Sequence, residues 1–151
     1  EDLRDFQEFL STNDIGLVIP NQCEVTYVNY IMSDDCFKEH ADIGKVFSSW
    51  RKDFSETPRY EVENANFTVR YLIRNEAKEF VGRLHASVQP VYRGVDDQVA
   101  FQLNLVARGK PYSSDVDGIM KFVDQGRESI VWLFADITRR EMHKVWGRQD
   151  V

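Results

Sequence analysis

The sequence predicts an α+β domain in which an antiparallel sheet packs against a long C-terminal helix. The first sign is period-two alternation sustained over three consecutive runs, at 61–73, 80–92 and 98–108. The second is that only short polar connections separate these runs, Asn75-Glu76-Ala77-Lys78 and Arg93-Gly94-Val95-Asp96-Asp97. Short connections between long strands make hairpins, so the three form a meander. The third is a helical stripe after residue 115, long enough to cover that meander: thirty-odd helical residues span roughly 45 Å, about the reach of thirteen strand residues.

In chain order, residues 3–10 place Leu3, Phe6 and Phe9/Leu10 at helical spacing, with Asn13 and Gly16 as stop signals. That short helix carries one apolar stripe and is expected to dock. After the turn at Pro20-Asn21, residues 24–32 are β-branched and aromatic and read as an earlier strand, apolar enough on both faces to be covered on both. Residues 33–59 predict broken helical turns that start at Ser33-Asp34-Asp35, carry Phe37, Ile43, Val46, Phe47 and Trp50, weaken at Gly44 and stop at Pro58.

Within the meander, Ala65, Phe67, Val69, Tyr71 and Ile73 share a parity, as do Phe80, Gly82, Leu84, Ala86, Val88 and Pro90, and Val99, Phe101, Leu103, Leu105 and Ala107. Ser113-Ser114-Asp115 then marks a helix start, with Asp115 and Asp117 at the positive dipole end. The run 116–146 aligns Ile119, Phe122/Val123, Gly126, Ile130, Leu133/Phe134, Ile137 and Val145, with Gly147 as its stop. Gly126 lies mid-stripe, where a missing side chain lets helix and sheet approach closely. The predicted core is Phe67, Val69, Leu84, Phe101, Leu103, Phe122, Ile130 and Phe134, with Tyr71 and Phe80 helping to fill the space under the helix.

A chain of 151 residues with ten Phe, six Tyr and three Trp reads as one domain over 1–151 with a core of its own. Its net charge of −6 argues against nucleic acid as a partner, and no apolar run approaches the ~20 residues of a membrane span. Cys23 and Cys36 are too far apart for a Cys-x-x-Cys pair and read as free thiols of a reducing, cytoplasmic compartment. The sequence holds no catalytic motif, no phosphate-binding glycine loop and no cofactor fingerprint. His40 and His143 stand in polar surroundings. The acidic residues around His40 (Asp34, Asp35, Glu39 and Asp42) read as a solvated face, and no metal site is expected.

The residues that remain are those of the opposite strand parity. Arg70, Arg83, His85, Gln102 and Asn104 are expected side by side on the sheet face turned away from the helix, as a ligand or partner face. Arg, His and amides suit planar hydrogen bonding to a carboxylate, a phosphate or a protein surface. Leu72, Val81, Ala100 and Val106 share that parity, a mixture suited to an interface. Trp132, Met142 and Trp146 fall off the main helical stripe and form a second candidate partner surface. A protein-interaction or scaffold domain is therefore expected, its partner a preceding region of the chain, another protein or a second copy. The alternative is a small-ligand-binding domain with a cavity between sheet and helix.

The segment Tyr27-Val28-Asn29-Tyr30-Ile31 resembles the Tyr-x-Asn-x-Ile strand motif of a sporadically distributed family of uncharacterised bacterial proteins. The stretch from Arg127 to Thr138, followed by His143-Lys144-Val145-Trp146-Gly147, is similar to that family's C-terminal end. The family strand carries basic residues where this chain has Thr26 and Tyr30. The resemblance implies that this chain is the C-terminal portion of a longer one, and it implies no activity.

Overall fold

The computed structural model describes residues 2–16, 19–33, 36–50, 59, 61–94 and 96–147. Their order is α1 (Asp2–Thr12), β1 (Cys23–Met32), a 3-10 turn (His40–Asp42), α2 (Ile43–Val46), β2 (Phe67–Arg74), β3 (Phe80–Arg93), β4 (Gln98–Gly109), α3 (Val116–Ile137) and α4 (Arg140–Val145). The strands form one antiparallel sheet in the order β1-β4-β3-β2. The meander is therefore closed on its last strand by the earliest one. This is the predicted α+β architecture of a four-stranded sheet, a long helix and a short N-terminal helix.

Both hairpin turns need a residue with positive φ, supplied by Lys78 (φ 62°) and Asp97 (φ 51°). In the first turn the Asn75 side chain takes up strain by bonding across it, accepting from the Glu79 backbone N–H at 2.9 Å. Strand β2 begins at Phe67 rather than near 61; residues 61–66 are described without regular structure, though Ala65 still packs on the core.

Strand parity sorts most of the core as predicted, though Phe67, Val69 and Phe134 are only partly buried. Leu84, Ala86, Val88, Phe101, Leu103, Leu105 and Ala107 are buried on one face, and Ile130, Leu133 and Ile137 of α3 meet them. Asp115 caps α3, its carboxylate accepting from the Gly118 N–H at 2.7 Å, and this backbone bond, with one from the Ser113 hydroxyl, holds its pKa below the usual carboxylate range. Gly126 lets the helix approach the sheet: a Cβ there would stand 3.1 Å from the Ala107 Cβ and 3.4 Å from Val25 Cγ2. Phe122 is fully buried against the paired glycines Gly82 and Gly109 at the sheet end.

The helix lies mainly over β1 and β4 and touches the end of β2, where Gln125 Nε2 donates to Arg74 O at 3.1 Å. Tyr71 and Phe80 are accordingly 39% and 50% exposed instead of filling the space beneath it. Phe67 is covered from another direction, by Phe47, whose ring stands edge-on to those of Phe67 and Phe101 at 5.6 Å. The predicted broken turns exist in part: Phe37, Ile43, Val46 and Phe47 are buried, and the Asp42 carboxylate accepts from the Lys38 N–H at 2.9 Å. Asp34, Asp35 and Pro58, expected to bound this stretch, lie outside the described residues.

Three expectations change. Strand β1 is an edge strand covered on its inner face only, leaving Val28 and Tyr30 exposed. The apolar stripe of α1 is mostly exposed; of its residues only Leu10 is buried. The last helix is two helices. The backbone of 137–139 leaves helical geometry at Thr138 to pair with 46–48, where Ser48 N–H donates to Ile137 O and Arg139 N–H donates to Val46 O, both at 2.8 Å. That break rotates the following turn, so Met142 enters the core and Val145 faces outward.

Candidate binding face

The hairpin registers convert the outer parity into rows across the sheet. Arg83 of β3 lies opposite Leu72 of β2 and Arg108 of β4, and Arg108 in turn lies opposite Glu24 of β1. In the next row, Arg70, His85 and Val106 are neighbours. Further along, Ser87 lies opposite Asn104 and Gln89 opposite Gln102. The five predicted residues therefore share one face but divide between two ends of it. Arg70, Arg83 and His85 form a corner, and Gln102 and Asn104 form a separate amide patch in which Gln102 Nε2 donates to Asn104 Oδ1 at 3.1 Å.

The corner opens into a groove of about 770 Å³ that continues round the end of the sheet. Arg70, Arg83, His85, Arg108 and Lys110 line it, together with Phe80, Tyr112 and Glu79. The Arg83 guanidinium sits 5.0 Å over the Phe80 ring, a cation–π contact that holds its stem along the groove. Arg108 Nε donates to Glu24 Oε2 at 2.6 Å, and Thr26 Oγ1 donates to Glu24 Oε1 at 3.1 Å. These bonds, Arg108 first, hold the Glu24 carboxyl below its usual range. Partial burial depresses the His85 pKa, and the nearby Arg70, Arg108 and Arg83 charges depress it further.

Arg108, Lys110 and Glu24 were not among the predicted site residues. Arg108 was within reach, because it shares the parity of Gln102 and Asn104. Glu24 was not, because only the β1–β4 pairing brings it there.

The second predicted surface does not hold together. Met142 is fully buried and cannot meet a partner, because the break at Thr138 turns it inward. Trp132 is 71% exposed, whereas Trp146 packs on the Phe134 ring at 5.6 Å. The space between sheet and helix is filled: Leu103, Leu105, Ala107, Ile130 and Ile137 have almost no exposure. A shallow groove of about 220 Å³ remains at the β1–α3 edge beside Tyr27, Ile130 and Phe134.

The other histidines are structural. His40 is buried edge-on against Tyr92 and Phe101, and its Nε2 lies 2.9 Å from Val91 O and 3.1 Å from Ala100 O. Both partners are carbonyls, so Nε2 carries the hydrogen. His143 Nε2 lies 2.6 Å from Thr138 Oγ1, which itself bonds to Phe134 O. His40 therefore does not stand in the polar surroundings the sequence suggested, whereas His143 does, beside Asp136, Arg140, Glu141 and Lys144. Among the described residues no group of three or more His, Cys, Asp or Glu could hold a metal ion, and no helix is long and apolar enough to cross a membrane.

No family model, curated protein or solved structure matches the chain.

Proposed function

We propose that this domain is a protein-interaction module whose working surface is the outer face of the sheet. One observation carries the reading: no described element packs over that face, although it presents Leu72 (55% exposed), Val28 (50%) and Tyr30 (61%) among Arg, His and amide side chains. A face meant only for water is supplied most cheaply with Lys and Glu, whereas interface cores are enriched in Tyr and Arg and poor in Lys. The partner is another protein chain or a preceding part of a longer chain. Cys23 and Cys36 form no disulfide among the described residues, which fits a cytoplasmic setting.

The test is a photo-crosslinking amino acid placed at Thr68, on the outer face, and as a control at exposed Glu128 of α3. A discrete protein adduct is expected from position 68, absent from position 128, and lost when Leu72→Glu is added. Leu72 is more than half exposed, so that change leaves the fold intact, which circular dichroism checks. No adduct from position 68, or the same adduct from both positions, overturns the proposal.

A further inference from the structure

The corner of the face is built at a cost that folding does not explain. Arg83 stands directly opposite Arg108, and Arg70 directly opposite His85. Like charges directly opposite on adjacent antiparallel strands are destabilising, as in the Arg83–Arg108 pair, while Arg70 disfavours a charge on the imidazole opposite it. Lys110 adds a further positive charge to the groove. In a chain of net charge −6, four cations have been gathered at one end of one face.

The compensation is incomplete. Glu24 pairs with Arg108, and Glu79 is the one described carboxylate lining the groove, held by a bond from Asn75 Nδ2 at 2.9 Å. Arg70, Arg83 and Lys110 have no carboxylate partner among the described residues. Four cations against two carboxylates leave two uncompensated positive charges beside an open groove.

From this geometry we infer that the groove binds a phosphomonoester dianion, held between Arg70 and Arg83 with His85 and Lys110 as further donors. This rests on the outer face being the working surface, and it names the chemistry that surface recognises. A dianion matches the two uncompensated charges, and a guanidinium pairs with a phosphate through two parallel N–H···O bonds. The groups facing His85 are Arg70 from β2, Arg83 from β3, Arg108 from β4 and Glu24 from β1. With the imidazole neutral, one ring nitrogen donates to the anion, and no extra proton is needed. The phosphate is carried either by a free small molecule or by a phosphorylated side chain of the partner protein; the two share this chemistry.

The experiment is a nuclear magnetic resonance titration of the whole chain, following the His85 ring Cε1–H and the Arg side-chain Nε–H signals at constant ionic strength. It is run above about pH 7, where a phosphomonoester is largely dianionic. Inorganic phosphate is the first probe, dimethyl phosphate the monoanionic control. The expected result is a saturable shift at His85, Arg70 and Arg83 with inorganic phosphate and none with dimethyl phosphate. Arg70→Gln and Arg83→Gln should each weaken it on the order of tenfold, and Arg127→Gln on α3 should leave it unchanged. A short peptide carrying phosphoserine, compared with its unphosphorylated form, then separates the sources: tighter binding than inorganic phosphate assigns the anion to a partner's side chain, and equal binding assigns it to a free ligand. No saturable shift, an equal response to dimethyl phosphate, or equal loss in Arg127→Gln overturns the inference. The crosslink from Thr68 is read without phosphate. Its survival alongside failed phosphate binding removes the anion site alone, and the converse removes the docking surface alone.

Discussion

Substituting Gly126 by Ala sets two effects of known size against each other. Alanine in a helix interior is favoured over glycine by about 0.8–1.0 kcal/mol. The new methyl, however, would stand 3.1 Å from the Ala107 Cβ. Ala107 is fully buried in β4, which is paired on both sides and cannot recede without moving β1 or β3. Over-packing of this kind costs about 1–3 kcal/mol. Val25 Cγ2, at 3.4 Å, is at ordinary contact distance and adds little. Crowding therefore exceeds propensity, and Gly126→Ala should lower stability by about 1 kcal/mol, or ~2–4 °C in melting temperature for a chain of this length. Ala107→Gly removes the opposing methyl, so in that background Gly126→Ala should become stabilising by roughly the full propensity difference. Urea unfolding of the two single variants and the double variant measures the coupling, expected within the ~0.5–3 kcal/mol range of contacting residues. If Gly126→Ala stabilises the parent chain by the full amount, with no coupling to position 107, the helix does not sit where the argument requires.

The helix break at Thr138 gives a second expectation: Met142→Ala should cost about 2–5 kcal/mol, as for a buried methionine. Trp132→Ser, on the exposed side of α3, should stay within ~0.5 kcal/mol, and both are read by urea denaturation. The third concerns pH. The folded-state pKa of His85 lies below its ordinary value of about 6.5, so its contribution to stability is present above that pH and is lost as pH falls through it toward the lowered folded value. Stability measured from about pH 7.5 to 5 should therefore fall less steeply in His85→Gln than in the parent chain, and identical slopes would refute the depressed pKa.

What the sequence made legible is what depends on residues near one another in the chain. Strand parity placed Leu84, Phe101 and Leu103 inside and Arg83 and His85 outside, because alternation is a local property. The cap at Asp115 and the close approach at Gly126 were readable for the same reason. The break at Thr138 was not. The apolar spacing continues through it, and the helix ends because the backbone of 137–139 pairs with 46–48, ninety residues earlier. That long-range pairing exchanges the roles of Met142 and Val145, and with them part of the predicted partner surface. The exposure of Tyr71 and Phe80 follows from a helix that covers β1 and β4, a lateral choice that periodicity cannot express.

The outer face shows the same division more sharply. Parity assigned Arg70, Arg83, His85, Gln102 and Asn104 to one surface, and read along each strand they are equivalent polar residues. Register makes them unequal. It sets Arg83 against Arg108 and Arg70 against His85, while Gln102 and Asn104 bond to each other several residues away. The sole carboxylate to reach this corner from the sheet itself, Glu24, arrives on β1, which joins only because the sheet order places that strand beside β4. It is spent on Arg108. The amide patch carries no charge, and one of its hydrogen bonds is made within it. Arg83 held opposite Arg108, with Arg70 in the next row, an aromatic wall and an open groove, gives a cluster of cations that an anion would stabilise. The two ends of one face therefore differ in what they can do: the amide end can contribute shape and hydrogen bonds to a docked protein, and only the arginine end can distinguish a charged partner from a neutral one.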